Sequence, residues 1–294
     1  MTDEADFPEE FTGFGTVALV GVGLIGGSLG MALKSRRLAR HVIGVGRSQG
    51  RLETAKALGA IDSGMIHLGE ALAEADIVVL CTTVGHILET LPETLAAAKK
   101  GAVVTDVGST KAAIVRRAAG AAVFVGGHPM AGSEQTGVEA ASPLLFEEAT
   151  WAITPSETTD SKALSILQKL AQSVGAATLI LSPDAHDAML AVTSHLPHVL
   201  ASSLMRQALT TQQTYPQTQR LTAGSFADGT RVAASSPELW RDVCLSNRDA
   251  LLHALQAFRG ELDALEEAVA AGDAAQIEAF FASGAVAKRN WGAL

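Results

Sequence analysis

Long hydrophobic runs are missing from this chain. Stretches such as Ile77 to Cys81 and Thr178 to Leu181 fall far short of the ~20 apolar residues that a membrane helix needs, so no membrane partner is expected. Cysteine is nearly absent too. Cys81 and Cys244 are too few for a disulfide framework and have no metal-ligand spacing, which points to reduced thiols in a cytoplasmic protein. The first ten residues are acidic, with neither a basic segment nor an apolar core, so no signal peptide is visible and residues 1–15 read as a loose leader. Positive charge is scarce: the net charge is -9, and no Lys/Arg cluster occurs beyond Lys34-Ser35-Arg36-Arg37. That cluster closes a predicted helix, where cations complement the dipole, so no nucleic-acid partner is expected. An acidic protein can still hold an anion where a few arginines converge.

What is present fits a globular chain of about two domains. Its 294 residues are 48% hydrophobic and 18% charged, neither disordered nor fibrous in composition. Thr16 to Val20 reads as a buried strand and Gly27 to Lys34 has helical spacing; between them lies Gly21-Val22-Gly23-Leu24-Ile25-Gly26. This is the strand, G-x-G-x-x-G turn and helix of a dinucleotide-binding unit. Gly21 permits the tight turn, Gly23 lets backbone approach a pyrophosphate, and Gly26 lets helix pack on strand. The N–H groups at the helix start, around Leu24 and Ile25, then face the phosphates.

Strand and helix signals go on alternating. Strands are expected at Val42 to Val45, Asp76 to Cys81, Ala102 to Thr105, Ala122 to Val125, Trp151 to Thr154 and Thr178 to Leu181. Helices are expected at Leu52 to Leu58, Ile87 to Lys99, Lys111 to Ala119 and Lys162 to Val174. The rhythm predicts an α/β fold, a doubly wound parallel sheet of Rossmann type, over residues 16–182. At Ser182 it changes: Ser182-Pro183-Asp184 is a helix start, and no convincing strand follows. Asp184 to Leu209 is read as one long helix kinked by Pro197, 212–237 as a polar loop, and Pro237 to Ala270 and Ala274 to Lys288 as further helices. Residues 183–294 therefore form an all-α domain whose long helices are expected to pair across a two-fold axis as a homodimer.

Four segments carry chemistry. Gly126-Gly127-His128-Pro129-Met130-Ala131-Gly132-Ser133 sits just past a predicted strand, where open α/β sheets bind ligands. Pro129 keeps His128 out of helical backbone, and an ordinary histidine pKa of about 6.5 suits it to taking a hydroxyl proton. The same histidine reads equally well as a residue that ties the loop together. Asp106-Val107-Gly108-Ser109-Thr110-Lys111 leaves another strand; Ser109 is a helix cap, a ligand for a substrate hydroxyl, or both. In Ser194-His195-Leu196-Pro197-His198, proline disturbs the spacing and no third ligand is evident, so a metal is rejected. His195 is read as a substrate ligand and His198 as packing. Arg231, in Gly224-Ser225-Phe226-Ala227-Asp228-Gly229-Thr230-Arg231, suits a carboxylate clamp, while Arg241 beside Asp242 reads as a structural ion pair.

Together the H-P-M-A-G-S, S-H-L-P-H and T-R-V-A…W-R-D stretches resemble the prephenate/arogenate dehydrogenase family of tyrosine biosynthesis, from about Thr16 to about Arg248. The resemblance implies a dinucleotide-binding domain followed by a helical dimerisation domain. It also implies an oxidative decarboxylation of prephenate to 4-hydroxyphenylpyruvate with NAD(P)+, or of arogenate to tyrosine. In that reaction the C4 hydroxyl of a cyclohexadienyl acid loses its proton, hydride leaves C4, and the ring carboxylate departs as carbon dioxide. By similarity His128 accepts the hydroxyl proton with Ser109 assisting. His195 and Arg231 grip the substrate, Glu134 and Asp228 shape the pocket, and Thr82 lies near the nicotinamide.

Three positions depart from the family pattern. Where relatives that prefer NAD carry an acid at the end of the second strand, this chain has Gly46 followed by Arg47 and Ser48. That removes repulsion toward a 2′-phosphate and leans the reading toward NADP over NAD. Thr83 replaces a common proline, and Ala227 stands where a basic residue is common. The chain's end soon after the last helix leads to no expectation of an appended regulatory domain. A 3-hydroxy acid dehydrogenase is disfavoured because residues 184–260 contain no lysine. A non-catalytic dinucleotide sensor would not need His128, Ser109, His195 and Arg231 together.

Overall fold

The computed structural model describes residues 13–118, 120–133 and 135–291. Most of the expected leader (residues 1–12) and Glu134 lie outside the described residues. Eight strands form one sheet in the order β3-β2-β1-β4-β5-β6-β7-β8, with β1 Phe14–Val20, β2 Ala39–Val45, β3 Ser63–Met65, β4 Ile77–Leu80, β5 Val103–Asp106, β6 Phe124–Pro129, β7 Thr150–Thr154 and β8 Ala177–Ile180. Helices α1 Leu24–Ser35, α2 Gln49–Ala57, α3 Leu68–Glu74, α4 Val84–Ala97, α5 Ala112–Arg117 and α6 Ser161–Ser173 alternate with them. The short β3 and α3 escape the apolar periodicity of the sequence.

Both sheet faces are covered. Along β1, Val17 and Leu19 join the core beneath α1 and α6, while Ala18 and Val20 join the opposite core with Ile87 and Leu91 of α4. Because side chains alternate faces along a strand, each central strand must be apolar throughout to feed two cores. The sheet is not wholly parallel, however. β7 runs antiparallel to β6, pairing His128 with Ala152 and Pro129 with Trp151. The described residues between the two strands hold a short 3-10 helix, Val138–Ala140, and a run of turns over 143–148, and not the longer helix that usually carries a parallel crossover.

Beyond the sheet come α7 Pro183–Leu190, a π-helical turn Ala191–His195, α8 Leu196–Thr214, α9 Gly224–Thr230 and α10 Pro237–Ser246. The expected kink at Pro197 is realised differently. Proline has no N–H and crowds the carbonyl four residues back, and the wider π turn lies immediately before it. Residues 212–237 are also more ordered than a loop, with short helical turns at Thr218–Leu221 and Arg231–Ala234 flanking α9. The run Pro183–Thr214 is long and apolar enough to cross a membrane by length and composition alone. Yet its buried Asp187 and His186 bond to residues of the sheet region.

The chain divides into two compact units, one ending at Arg248 and one from Asp249 onward. The second unit comprises most of α11 Arg248–Ala271, and α12 Ala274–Asn290. Gly272 takes φ 66° between them, and Asp273 caps α12 through the Gln276 N–H. This unit leaves large apolar side chains exposed, among them Phe281, Val269 and Trp291.

Candidate active site

The glycine turn behaves as its spacing predicts. Gly21 has φ +96°, and a Cβ at Gly26 would run into the Gly21 carbonyl oxygen. No atom lies within 4 Å of the Cβ position at Gly23, so that side of the turn is open. Gly23 is also the N-cap of α1 and supplies no side-chain cap, which leaves the first-turn N–H groups of Leu24, Ile25 and Gly26 available to an anion. Thr82 lies against this turn: its methyl would meet a Cβ at Gly21, and its hydroxyl is 3.4 Å from His86 Nδ1. At the end of β2, Arg47 is exposed and Ser48 caps α2 by accepting from the Arg51 N–H. This cradle fits a dinucleotide phosphate.

His128 sits inside β6, not in a loop beyond it. The glycines before it serve packing, not a turn: a Cβ at Gly127 would strike the Asp106 carbonyl and the Trp151 indole nitrogen. Next to it is a fully buried ion pair. Lys111 bonds to the Asp106 carboxylate and to the Gly127 carbonyl at 2.8 Å, while Asp106 also accepts the N–H groups of Gly108 and Gly127 at 2.8 and 3.2 Å. Burial pushes the Asp106 pKa up and the Lys111 pKa down, and each partner's charge partly offsets the effect on the other.

Ser109 does not cap α5. The helix begins after Lys111 with no side-chain cap of its own. Asp187 of α7 supplies the cap instead, accepting the backbone N–H groups of Lys111 at 2.7 Å and Ala112 at 2.9 Å. Half-buried Ser109 is thereby released, and its backbone lies beside His195.

Three histidines converge here. His128 Nδ1 is 2.9 Å from His186 Nε2, and His186 Nδ1 is 2.8 Å from Asp187 Oδ1. Burial first, then the charges of His186, Lys111 and His195, hold the His128 pKa well below the ordinary histidine value, so it is an unprotonated base near neutrality. His195 lies in the π turn and is also buried, its pKa pushed down to about 4. Asn247 Nδ2 donates to the Asp187 carbonyl at 2.8 Å and lies 3.1 Å from His195 Nδ1. An amide donor at Nδ1 puts the His195 proton on Nε2, a buried atom near the Ser109 backbone that makes no hydrogen bond of good geometry among the described residues. His195 is therefore a neutral donor suited to an oxygen of a ligand.

His198 stacks on Trp240 with ring centroids 3.8 Å apart, and Trp240 also meets His195 edge-on at 5.9 Å. Burial lowers the His198 pKa, the Ser194 carbonyl pulls it back up, and the Arg231 charge adds to the depression. Arg231 is exposed in the turn after α9, a segment that packs on α8, and Asp228 is exposed on α9. Arg241 bonds Asp242, as a structural pair should, and Asp242 also accepts the Gly85 N–H at the start of α4. The structure thus joins His128, Ser109 and His195 directly to one cluster and places Arg231 at its edge. Asp228 stays on the surface, and among the described residues no group of three potential ligands could hold a metal.

Sequence reasoning passed over His186, Asp187, Asn247 and the Asp106–Lys111 pair. A local signal existed for two of them, since His186 and Asp187 lie in the first turns of a helix opened by Ser182-Pro183.

Comparison with known proteins agrees with this geometry. The family description "Prephenate dehydrogenase, nucleotide-binding domain" matches residues 29–180, and "Prephenate dehydrogenase, dimerization domain" matches 182–283. The prephenate dehydrogenase of Bacillus subtilis is 37% identical over 271 residues, covering 90% of this chain and 73% of the relative. The cyclohexadienyl dehydrogenase of Zymomonas mobilis is 34% identical, covering 89% of this chain and 91% of that protein. Among solved structures, the Aquifex aeolicus prephenate dehydrogenase in complex with hydroxyphenyl propionate and NAD+ aligns with TM-score 0.85 and 28% identity, covering 94% of this chain and 97% of the other. Synechocystis arogenate dehydrogenase aligns with TM-score 0.78 and 30% identity, covering 94% and 99%. With both family domains matched and a relative 37% identical over most of the chain, this chain belongs to the prephenate dehydrogenase family of NAD(P)-dependent oxidoreductases.

Proposed function

We propose that the enzyme oxidatively decarboxylates prephenate to 4-hydroxyphenylpyruvate, with His128 as the base. The observation that carries the reading is a buried histidine whose Nδ1 is engaged by His186 at 2.9 Å, in surroundings that hold its pKa below the ordinary value; its Nε2 is the nitrogen this reading assigns to the substrate hydroxyl. His128 takes the C4 hydroxyl proton as a bond to hydrogen breaks at C4, and Ser109 steadies the hydroxyl. His195 donates from Nε2 to a substrate oxygen, Arg231 offers its fork to a carboxylate, and Asp228 shapes the mouth of the site. A nicotinamide cofactor held at the glycine turn would supply the hydride acceptor. Loss of carbon dioxide then makes the ring aromatic, so the protein need only hold the reacting groups in line.

Gly21, Gly23, Leu24, Ile25, Gly26 and Thr82 would hold the cofactor, and Arg47 and Ser48 at the end of β2 would select between NAD and NADP. NADP is preferred over NAD in this reading, because Gly46 leaves no acid to repel a 2′-phosphate and Arg47 is exposed next to it. A Cβ at Gly46 would make only ordinary contact with Leu52. Residues 16–182 serve as the dinucleotide-binding domain and 183–294 as the substrate and dimerisation domain of a cytoplasmic homodimer. Exposed apolar residues on α11 and α12, and two free thiols, support that part of the reading.

Arogenate is the second substrate to test, since an arogenate and a cyclohexadienyl dehydrogenase are among the similar proteins and Ala227 leaves one cation fewer. One assay separates these outcomes: reduced-nicotinamide absorbance with each substrate and each cofactor. Turnover of neither substrate, or its survival in His128→Asn, sinks the reading. A lower KM for NAD than for NADP overturns the cofactor preference. Replacement of Arg231 is expected chiefly to raise KM.

A further inference from the structure

We propose that His186 and Asp187 act as a positioning pair behind the base: they fix His128 in the tautomer with Nε2 free, and they receive the positive charge when the substrate proton arrives. This rests on the reading of His128 as the base. The assignment follows from groups whose hydrogens cannot move. The backbone N–H groups of Lys111 and Ala112 both point at Asp187, one on each oxygen. Asp187 is therefore an acceptor at both oxygens, and His186 Nδ1, 2.8 Å from Oδ1, must be the donor. That leaves a lone pair on His186 Nε2, so His128 Nδ1, 2.9 Å away, carries the hydrogen and donates. The lone pair of His128 then falls on Nε2, the nitrogen open to substrate.

The proton balance is simple. The substrate O–H bond breaks as an N–H bond forms at His128 Nε2. The Nδ1 proton of His128 moves to His186 Nε2, whose own Nδ1–H stays on Asp187. One proton has entered the pair, and its charge now sits beside a carboxylate one ring further from the substrate. Two imidazoliums side by side would repel, so the pair holds one added proton and not two. The groups facing His128 are His186 and Asp187 from α7, Lys111 before α5 with its partner Asp106, and His195 from the π turn.

The test is the pH dependence of kcat and kcat/KM for the full-length enzyme and two variants. His186→Gln retains an acceptor toward His128 and a donor toward Asp187 but cannot take a proton. Its kcat is expected to fall about 10- to 100-fold with KM within about threefold, and its acid limb to shift away from that of the parent, because His128 no longer shares its proton with a second imidazole. Asp187→Asn removes the negative charge that would stabilise a proton on His186 and turns one of the two capping acceptors into a donor; its loss is expected to be larger, about 10³-fold or more. Thermal midpoints and dinucleotide Kd near those of the parent show that each variant is folded. A kcat for His186→Gln within threefold of the parent, an acid limb that stays put, or an Asp187→Asn enzyme keeping a tenth of its activity overturns the proposal. If His128→Asn is inactive while His186→Gln behaves as the parent, the pair fails and the base stands. If His128→Asn turns over normally, the base itself is wrong.

Discussion

Replacing Lys111 by methionine is the sharpest probe of what holds the reacting strand. The side chain is fully buried and joins β5 to β6 through Asp106 and the Gly127 carbonyl, the residue before His128. Methionine fills similar space but brings neither charge nor donor. Asp106 would keep two backbone N–H bonds and lose its counter-charge; breaking one side of a buried pair costs about 3–5 kcal/mol, a large part of the ~5–15 kcal/mol that stabilises a typical domain. The stranded carboxyl escapes by binding a proton. Its pKa, already raised by burial, would rise further once the ammonium is gone. A group whose folded pKa lies above its unfolded value stabilises the fold fully below the unfolded value, about 3.9, and loses that contribution as pH climbs. The gap between parent and variant should therefore be widest at pH 7 and narrow toward about pH 4. Urea unfolding at both pH values, at fixed protein concentration, reads this directly. Adding Asp106→Asn to Lys111→Met should recover part of the loss at pH 7. A single-variant loss below about 1 kcal/mol, or a gap that does not change with pH, would refute the reasoning.

Two further outcomes follow from the same geometry. Gly26→Ala places a Cβ against the Gly21 carbonyl in the tightest part of the turn, so dinucleotide Kd should rise at least about tenfold; parental affinity with an unchanged thermal midpoint would contradict the cradle. His195 has a folded pKa of about 4 against an ordinary value of about 6.5, so the unfolded chain binds its proton first and stability should decline as pH falls between those values. His195→Asn should flatten that decline and raise KM more than it lowers kcat. An acid-stability profile identical to that of the parent would count against a buried neutral imidazole.

What the sequence alone determined is the local chemistry. The strand, glycine turn and helix at Thr16 to Lys34 are legible because each requirement falls within neighbouring residues: a positive φ at Gly21, contact at Gly26, and an uncapped helix start. His128, Ser109 and His195 stood out by motif, and the structure gathers them. Only the tertiary structure decided how they are supported. A nearby serine looked like the cap of α5, yet the cap comes from Asp187, 75 residues further along the chain from Ala112. His128 meets His186 across 58 residues, and Asn247 reaches His195 across 52. β7 turned antiparallel where alternation alone suggested a parallel strand. Spacing along a chain records periodicity and backbone preference. It does not record which buried donor meets which buried acceptor, since that is settled when packing removes water and each polar group must find a partner among whatever the fold brings near it.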